Sequence, residues 1–67
     1  MFHVIDNGKE VYACADIIGA AMVRYAYCYN VRDHRGPHGV SSDVRIFDAS
    51  NIDVTNEANN LEMEARL

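Results

Sequence analysis

Two short apolar runs flank an Asn-Gly pair near the start of the chain. Asn7-Gly8 separates residues 2–5 from residues 11–14. Asn-Gly is the preferred pair for a two-residue turn in which both central residues have positive φ, so the pattern predicts a β-hairpin. Counting outward from the turn places Val4 opposite Val11. The predicted core face of the hairpin consists of Phe2, Val4, Val11 and Ala13, and the other face consists of His3, Ile5, Glu10 and Tyr12.

Apolar residues then recur at helical spacing. Asp16 can accept a hydrogen bond as the N-cap of a helix that runs from Ile17 to about Tyr29 and ends near Asn30. The wide apolar face of this helix is expected to pack on the hairpin. It consists of Ile17, Ile18, Ala21, Met22, Tyr25, Cys28 and Tyr29.

The opposite side of the helix has an unusual composition, because Arg24 is its only charged residue. A helix on a protein surface normally carries polar residues on its outer side, so this side is expected to be covered by another polypeptide. A second copy of the chain, as in a homodimer, is one such polypeptide; the alternative is that residues 56–67 cover Val23 and Tyr27. The predicted partner-binding residues are Gly19, Ala20, Val23, Arg24, Tyr27, Arg32 and Arg35.

The pattern in the second half of the chain predicts two further β-strands. A Gly- and Pro-containing loop at residues 32–39 (RDHRGPHG) precedes a period-two alternation at residues 40–48, a turn at 48–51 and a short fourth strand at 52–55. The predicted fold class is α+β, with a small antiparallel sheet of three to four strands in β-β-α-β-β order and one helix packed on one face. Residues 1–55 form the single predicted domain, and residues 56–67 form an acidic tail or a short helix capped by Thr55.

Charge narrows the range of functions. The 67-residue chain has a net charge of −4, and the whole excess of acid lies in residues 43–67. An acidic surface disfavours general nucleic-acid binding, although spaced carboxylates could imitate DNA phosphates. No apolar run is long enough to span a membrane and no leader pattern is present, so a cytoplasmic location is expected. The predicted acidic surface consists of Asp43, Asp48, Asp53, Glu57, Glu62 and Glu64.

Candidate chemistry is sparse. His34 and His38, with Cys14 and Cys28, are the residue types that bind zinc, but the two cysteines are too far apart in sequence for a zinc knuckle. Cys14 precedes a helix N-terminus, which could lower its thiol pKa, and His3, His34 or His38 could approach it as a base, yet no oxyanion donor or substrate pocket is identifiable. We therefore expect no enzyme, no metal, no cofactor and no small-molecule substrate.

The remaining hypothesis is a non-enzymatic protein-binding module. In size and charge alone, the chain is comparable to the small phage or mobile-element (viral) inhibitors that dock on a larger complex, so an inhibitor or accessory role is expected. One alternative is a metal- or nucleic-acid-dependent regulator that uses the loop at residues 32–39. Another is a purely structural subunit of a homo-oligomer.

Overall fold

A computed structural model describes residues 1–28 and 44–67 of the chain. The element order is β-β-α-β-α, which confirms the α+β class but not the predicted β-β-α-β-β order. The elements are β1 (Phe2–Asp6), β2 (Lys9–Cys14), α1 (Ile17–Tyr27), β3 (Val44–Phe47) and α2 (Thr55–Arg66). The predicted helix end at Tyr29 and Asn30, the loop with Arg32, His34, Arg35 and His38, the strand start at residues 40–43 and Asp43 lie outside the described residues.

The β1–β2 turn is confirmed. Asn7 and Gly8 have φ values of 50° and 86°, as a type I′ turn requires, and the hairpin closes with Asp6 opposite Lys9. Beyond Ile5 the register shifts, so that Val4 pairs with Tyr12 rather than with Val11. The predicted pairing assumed a regular ladder, and the irregularity has the form of a β-bulge, which inserts one extra residue into one strand.

The shift changes which residues of β2 face the core. Phe2 pairs with Cys14 rather than with Ala13, and Cys14 packs against the core beside Val11. The predicted core face is therefore correct for Phe2, Val4 and Val11 and wrong for Ala13, whose place Cys14 takes.

Within residues 1–28 and 44–67, the sheet has three antiparallel strands in the order β2-β1-β3. Val4 of β1 lies opposite Ile46 of β3, and both are fully buried. Their side chains belong to a core to which both helices contribute. The buried hydrophobic residues are Val4, Ala20, Ala21, Cys28, Val44, Ile46 and Ala58.

Helix α1 starts as predicted but is rotated about its axis relative to the prediction. The Asp16 carboxylate accepts a hydrogen bond of 2.9 Å from the Gly19 amide, which confirms the N-cap. Arg24, predicted to face outward, is only 6% exposed, whereas Met22, predicted to face the core, is 58% exposed. The rotation is accommodated because the Arg24 Nε donates to the Val44 carbonyl oxygen at 2.5 Å, which satisfies a polar group inside the core.

The segment between β3 and α2 contains the predicted turn but not the predicted fourth strand. The turn at residues 48–51 is confirmed, because the Asp48 carboxylate accepts from the amides of Ser50 and Ile52 and Asn51 has a φ of 64°. The strand predicted at residues 52–55 is not formed, and α2 begins at Thr55. A single bridge between Phe47 and Asp53 is all the pairing that this segment makes with β3 within the described chain.

The C-terminal residues form a helix, which confirms one of the two predicted alternatives. Helix α2 packs against α1 and β3, with Ala58 fully buried. Thr55 is its first residue rather than its cap: the Thr55 hydroxyl donates to Asp53 Oδ1 and accepts from the Ile46 amide. Neither helix in the described part of the chain has the length and apolar content required to cross a membrane.

Candidate protein-docking groove

The predicted partner-binding side of α1 is largely interior. Ala20 is fully buried and Arg24 nearly so, while Val23 and Tyr27 pack partly buried against the core. The Tyr27 hydroxyl donates a hydrogen bond of 2.7 Å to Asp6 at the end of β1. The premise that this side is exposed is therefore wrong, because Ala20 and Arg24 are buried and both Arg24 and Tyr27 are hydrogen-bonded to strands of the sheet.

Gly19 and the two loop arginines complete that predicted set. A Cβ on Gly19 would lie 3.5 Å from the Asp16 carboxylate, an ordinary contact, and among the described residues no backbone of another element lies within 4 Å of it. Gly19 is half-buried beside its own helix cap, so the structure does not support its predicted role of permitting a close approach. Arg32 and Arg35 lie outside the described residues.

A groove lies on the other side of α1, where α1 runs beside α2. It encloses about 380 Å³. Its lining is apolar along α1 and mixed along α2, and consists of Ile18, Met22, Tyr25, Glu62, Ala65 and Arg66.

The α1 wall of the groove carries no charge. Met22 is 58% exposed and Tyr25 is 39% exposed, and Ile18 lies half-buried one turn before them. Arg24 is the only charged residue between Ile17 and Tyr27, and it faces the core. The exposed residues of α1, as far as the structure describes the chain, are Met22, Tyr25 and Ala26, and none of them is charged, which is unusual for the outer side of a helix.

The α2 wall contributes one ion pair. Arg66 donates to Glu62 from both Nε and Nη2, and the Nη2–Oε1 distance is 2.5 Å. This hydrogen bonding lowers the pKa of Glu62 and raises that of Arg66, so both side chains are charged at neutral pH. The Glu62 side chain is 12% exposed and the Arg66 side chain 62%, so the charge that faces solvent at the groove is the positive one.

The predicted acidic surface is partly occupied by contacts within the chain. Asp48 accepts two main-chain hydrogen bonds in its turn, and Glu62 is bound by Arg66. The side-chain hydrogen bond from Arg45 is the main reason that the pKa of Asp53 falls to about 2. Of the acids predicted for this surface, Glu57 and Glu64 remain exposed in the described residues with no such contact, and Asp43 lies outside them.

Two acids on the outer face of the sheet have partners within the chain. His3 Nδ1 lies 2.5 Å from Glu10 Oε1, and Arg45 Nε donates to Asp53 Oδ2 at 2.9 Å. Glu10 and Asp53 are therefore engaged by neighbouring strands rather than free to meet a charged partner.

The candidate chemical residues do not assemble into a reactive site. Burial, and then the nearby Asp16 charge, raises the pKa of the Cys14 thiol, which is opposite to the shift that an activated nucleophile needs. Cys28 is fully buried in the core. Within residues 1–28 and 44–67, no group of three His, Cys, Asp or Glu side chains is placed to hold a metal ion. His34 and His38 lie outside those ranges.

Neither protein-family models nor curated proteins nor solved structures show a significant match to this chain. A function must therefore be argued from the geometry of the groove and from the charges around it.

Proposed function

We propose that this chain is a non-enzymatic protein-binding module that docks on its partner through the groove between α1 and α2. The observation that carries the proposal is the uncharged solvent-facing side of α1, where Met22 and Tyr25 stand exposed at the rim of the groove. Docking of this kind is consistent with an accessory or inhibitory role on a larger complex, because the chain would act by occupying a surface of its partner.

The composition of the groove suits a protein partner. Tyrosine and methionine are enriched at protein interfaces, tyrosine because its ring buries a large area while its hydroxyl can stay hydrated. Methionine adapts its flexible side chain to irregular partner surfaces. Burial of apolar area stabilises a complex by about 25 cal/mol per Å², so covering Met22, Tyr25 and Ile18 would provide a favourable term at the centre of an interface.

The variant of this proposal in which the acidic surface imitates DNA loses support. Such imitation needs carboxylates that are free to meet a basic channel, yet Asp48, Asp53 and Glu62 each accept hydrogen bonds from their own chain. Glu57 and Glu64 lie on the exposed side of α2 and are the described acids that remain available. Two carboxylates reproduce little of a phosphate backbone.

Site-specific photocrosslinking tests the proposal in the cells that make the protein. A benzophenone amino acid replaces Met22 in one variant and, as a control, Asn60 on the exposed side of α2 in another. We expect a covalent adduct of one defined mass from position 22 and none from position 60. Absence of an adduct from position 22, or equal adducts from both positions, would contradict docking through the groove. An adduct with the mass of two chains would identify a homo-oligomer subunit.

A further inference from the structure

The charge at the groove defines what its partner should carry. Arg66 contributes an exposed guanidinium to the mouth, whereas the carboxylate that neutralises it, Glu62, is almost buried beneath it. The groove therefore presents an apolar wall on α1 and a single accessible cation on α2, within a chain whose overall charge is −4.

Glu62 holds this cation in position. It engages the Nε and Nη2 sides of the guanidinium, as bidentate carboxylate–arginine pairs do. A guanidinium has five N–H donors, so the Nη1 side keeps donors for a further acceptor. Arg66 is thus oriented by one carboxylate and remains able to bind a second, which a partner would supply.

We propose that the groove binds an amphipathic helix whose apolar side chains lie along Ile18, Met22 and Tyr25 and whose adjacent carboxylate pairs with Arg66. This inference rests on the function proposed above and specifies its partner. A groove between two helices is a common receptor for a third, whose apolar residues recur at i, i+3 or i+4 and i+7. Charge complementarity selects an acidic residue beside the stripe, because a lysine there would meet the accessible cation.

The overall charge limits how acidic that partner can be. With a net charge of −4, the chain repels a strongly acidic polypeptide at long range. The proposal therefore calls for one carboxylate next to an apolar stripe rather than for an acidic tract.

Two synthetic helical peptides test the proposal on the full chain. Both carry the same leucine stripe, and they differ by one residue beside it, Glu in one and Lys in the other. Titrations followed by ¹⁵N–¹H NMR give both affinity and location. We expect the Glu peptide to shift the resonances of Met22, Tyr25 and Ala65, and to bind about threefold to tenfold more tightly than the Lys peptide.

Substitutions at the ion pair provide the controls. Arg66→Gln should abolish the preference for the Glu peptide, and Arg66→Lys should retain part of it. Circular dichroism of each variant checks that α2 is intact. Equal binding of both peptides at the groove would overturn the proposed pairing of a partner carboxylate with Arg66, but it would not contradict the proposed docking function. Binding of neither peptide would overturn the amphipathic helix as the partner. A dimer in sedimentation experiments would then identify a second copy of the chain as the occupant of the groove. The crosslinking experiment described above tests the docking function separately.

Discussion

The Nε atom of Arg24 donates a hydrogen bond of 2.5 Å to the main-chain carbonyl of Val44, twenty residues further along the chain and inside the core. Burial lowers the pKa of this guanidinium, yet a buried polar group is tolerated when it is hydrogen-bonded. The contact joins α1 to the first residue of β3. It therefore contributes to the rotation of α1 that turns Met22 and Tyr25 toward solvent.

Arg24→Met tests this contact. The substitution keeps an unbranched side chain of similar reach but leaves the Val44 carbonyl without this donor, so we expect the free energy of unfolding to fall by about 1–3 kcal/mol. Arg24→Lys keeps a cationic donor and should lose less. Urea denaturation of both variants gives the comparison. If Arg24→Met were as stable as the natural chain, the hydrogen bond would have no part in holding α1.

Sequence patterns predicted local structure well where a single residue type has one dominant preference. Asn7-Gly8 requires positive φ at both positions and adopts it, and Asp16 caps α1 as its position implies. The extent of the hairpin followed from the same turn, but its register beyond Ile5 did not, because a β-bulge leaves no signature in alternating apolar residues.

The face of α1 and the groove required tertiary information. Helical spacing predicts Arg24 and its neighbours opposite the wide apolar face, on the outer side of α1. This prediction is wrong for Arg24 because its acceptor, the Val44 carbonyl oxygen, belongs to a distant strand that a helical pattern cannot reveal. Met22 and Tyr25 belong, with Ile18, to the apolar face that helical spacing predicts to pack on the hairpin. Because that spacing carries no information about Val44, it does not show that Met22 and Tyr25 face solvent.

Gly8 tests the turn. Its φ of 86° is strained for a β-branched residue, whereas a Cβ there would meet no other part of the described chain within 4 Å, so the expected cost of substitution is conformational. We expect Gly8→Val to lower stability by about 1–2 kcal/mol. Asn7→Gly, at a φ of 50°, serves as the control and should change stability by less. An unchanged melting temperature for Gly8→Val would contradict the turn.

Thr55 tests the junction between β3 and α2. Its hydroxyl accepts a hydrogen bond of 2.8 Å from the buried amide of Ile46 and donates to Asp53. Thr55→Val removes the acceptor at nearly constant volume, and leaving that amide unsatisfied should cost about 1–3 kcal/mol in thermal or urea unfolding. Thr55→Ser keeps the hydroxyl and should cost clearly less. Equal losses from the two variants would show that the methyl group, not the hydroxyl, matters.

The lowered pKa of Asp53 predicts that part of the free energy of unfolding depends on pH. Its pKa in the folded chain is about 2, held down first by Arg45, against an ordinary value of 3.8. The ionised form is thus favoured by folding, so its contribution is complete above pH 4 and is lost as pH falls toward 2. Because the pair is partly exposed, we expect Asp53→Asn to lose only about 1–2 kcal/mol at pH 7.

The measurement is a series of unfolding curves for both proteins between pH 7 and pH 2. The stability gap between the natural chain and Asp53→Asn should narrow steadily below pH 4. A gap that stays constant down to pH 2 would mean that the carboxylate is not preferentially ionised in the folded state.

The rotation of α1 is tested most directly by one glutamate placed at each of two neighbouring positions. Val23 packs partly buried against the core, so Val23→Glu should lower the free energy of unfolding by about 2–4 kcal/mol, whereas Met22 is 58% exposed and Met22→Glu should change it by less than about 0.5 kcal/mol. Urea unfolding of the two variants, side by side, decides the matter. A stable Val23→Glu variant and an unfolded Met22→Glu variant would contradict the observed rotation of α1. That result would mean that the side of the helix with Val23 is exposed and the side with Met22 is buried.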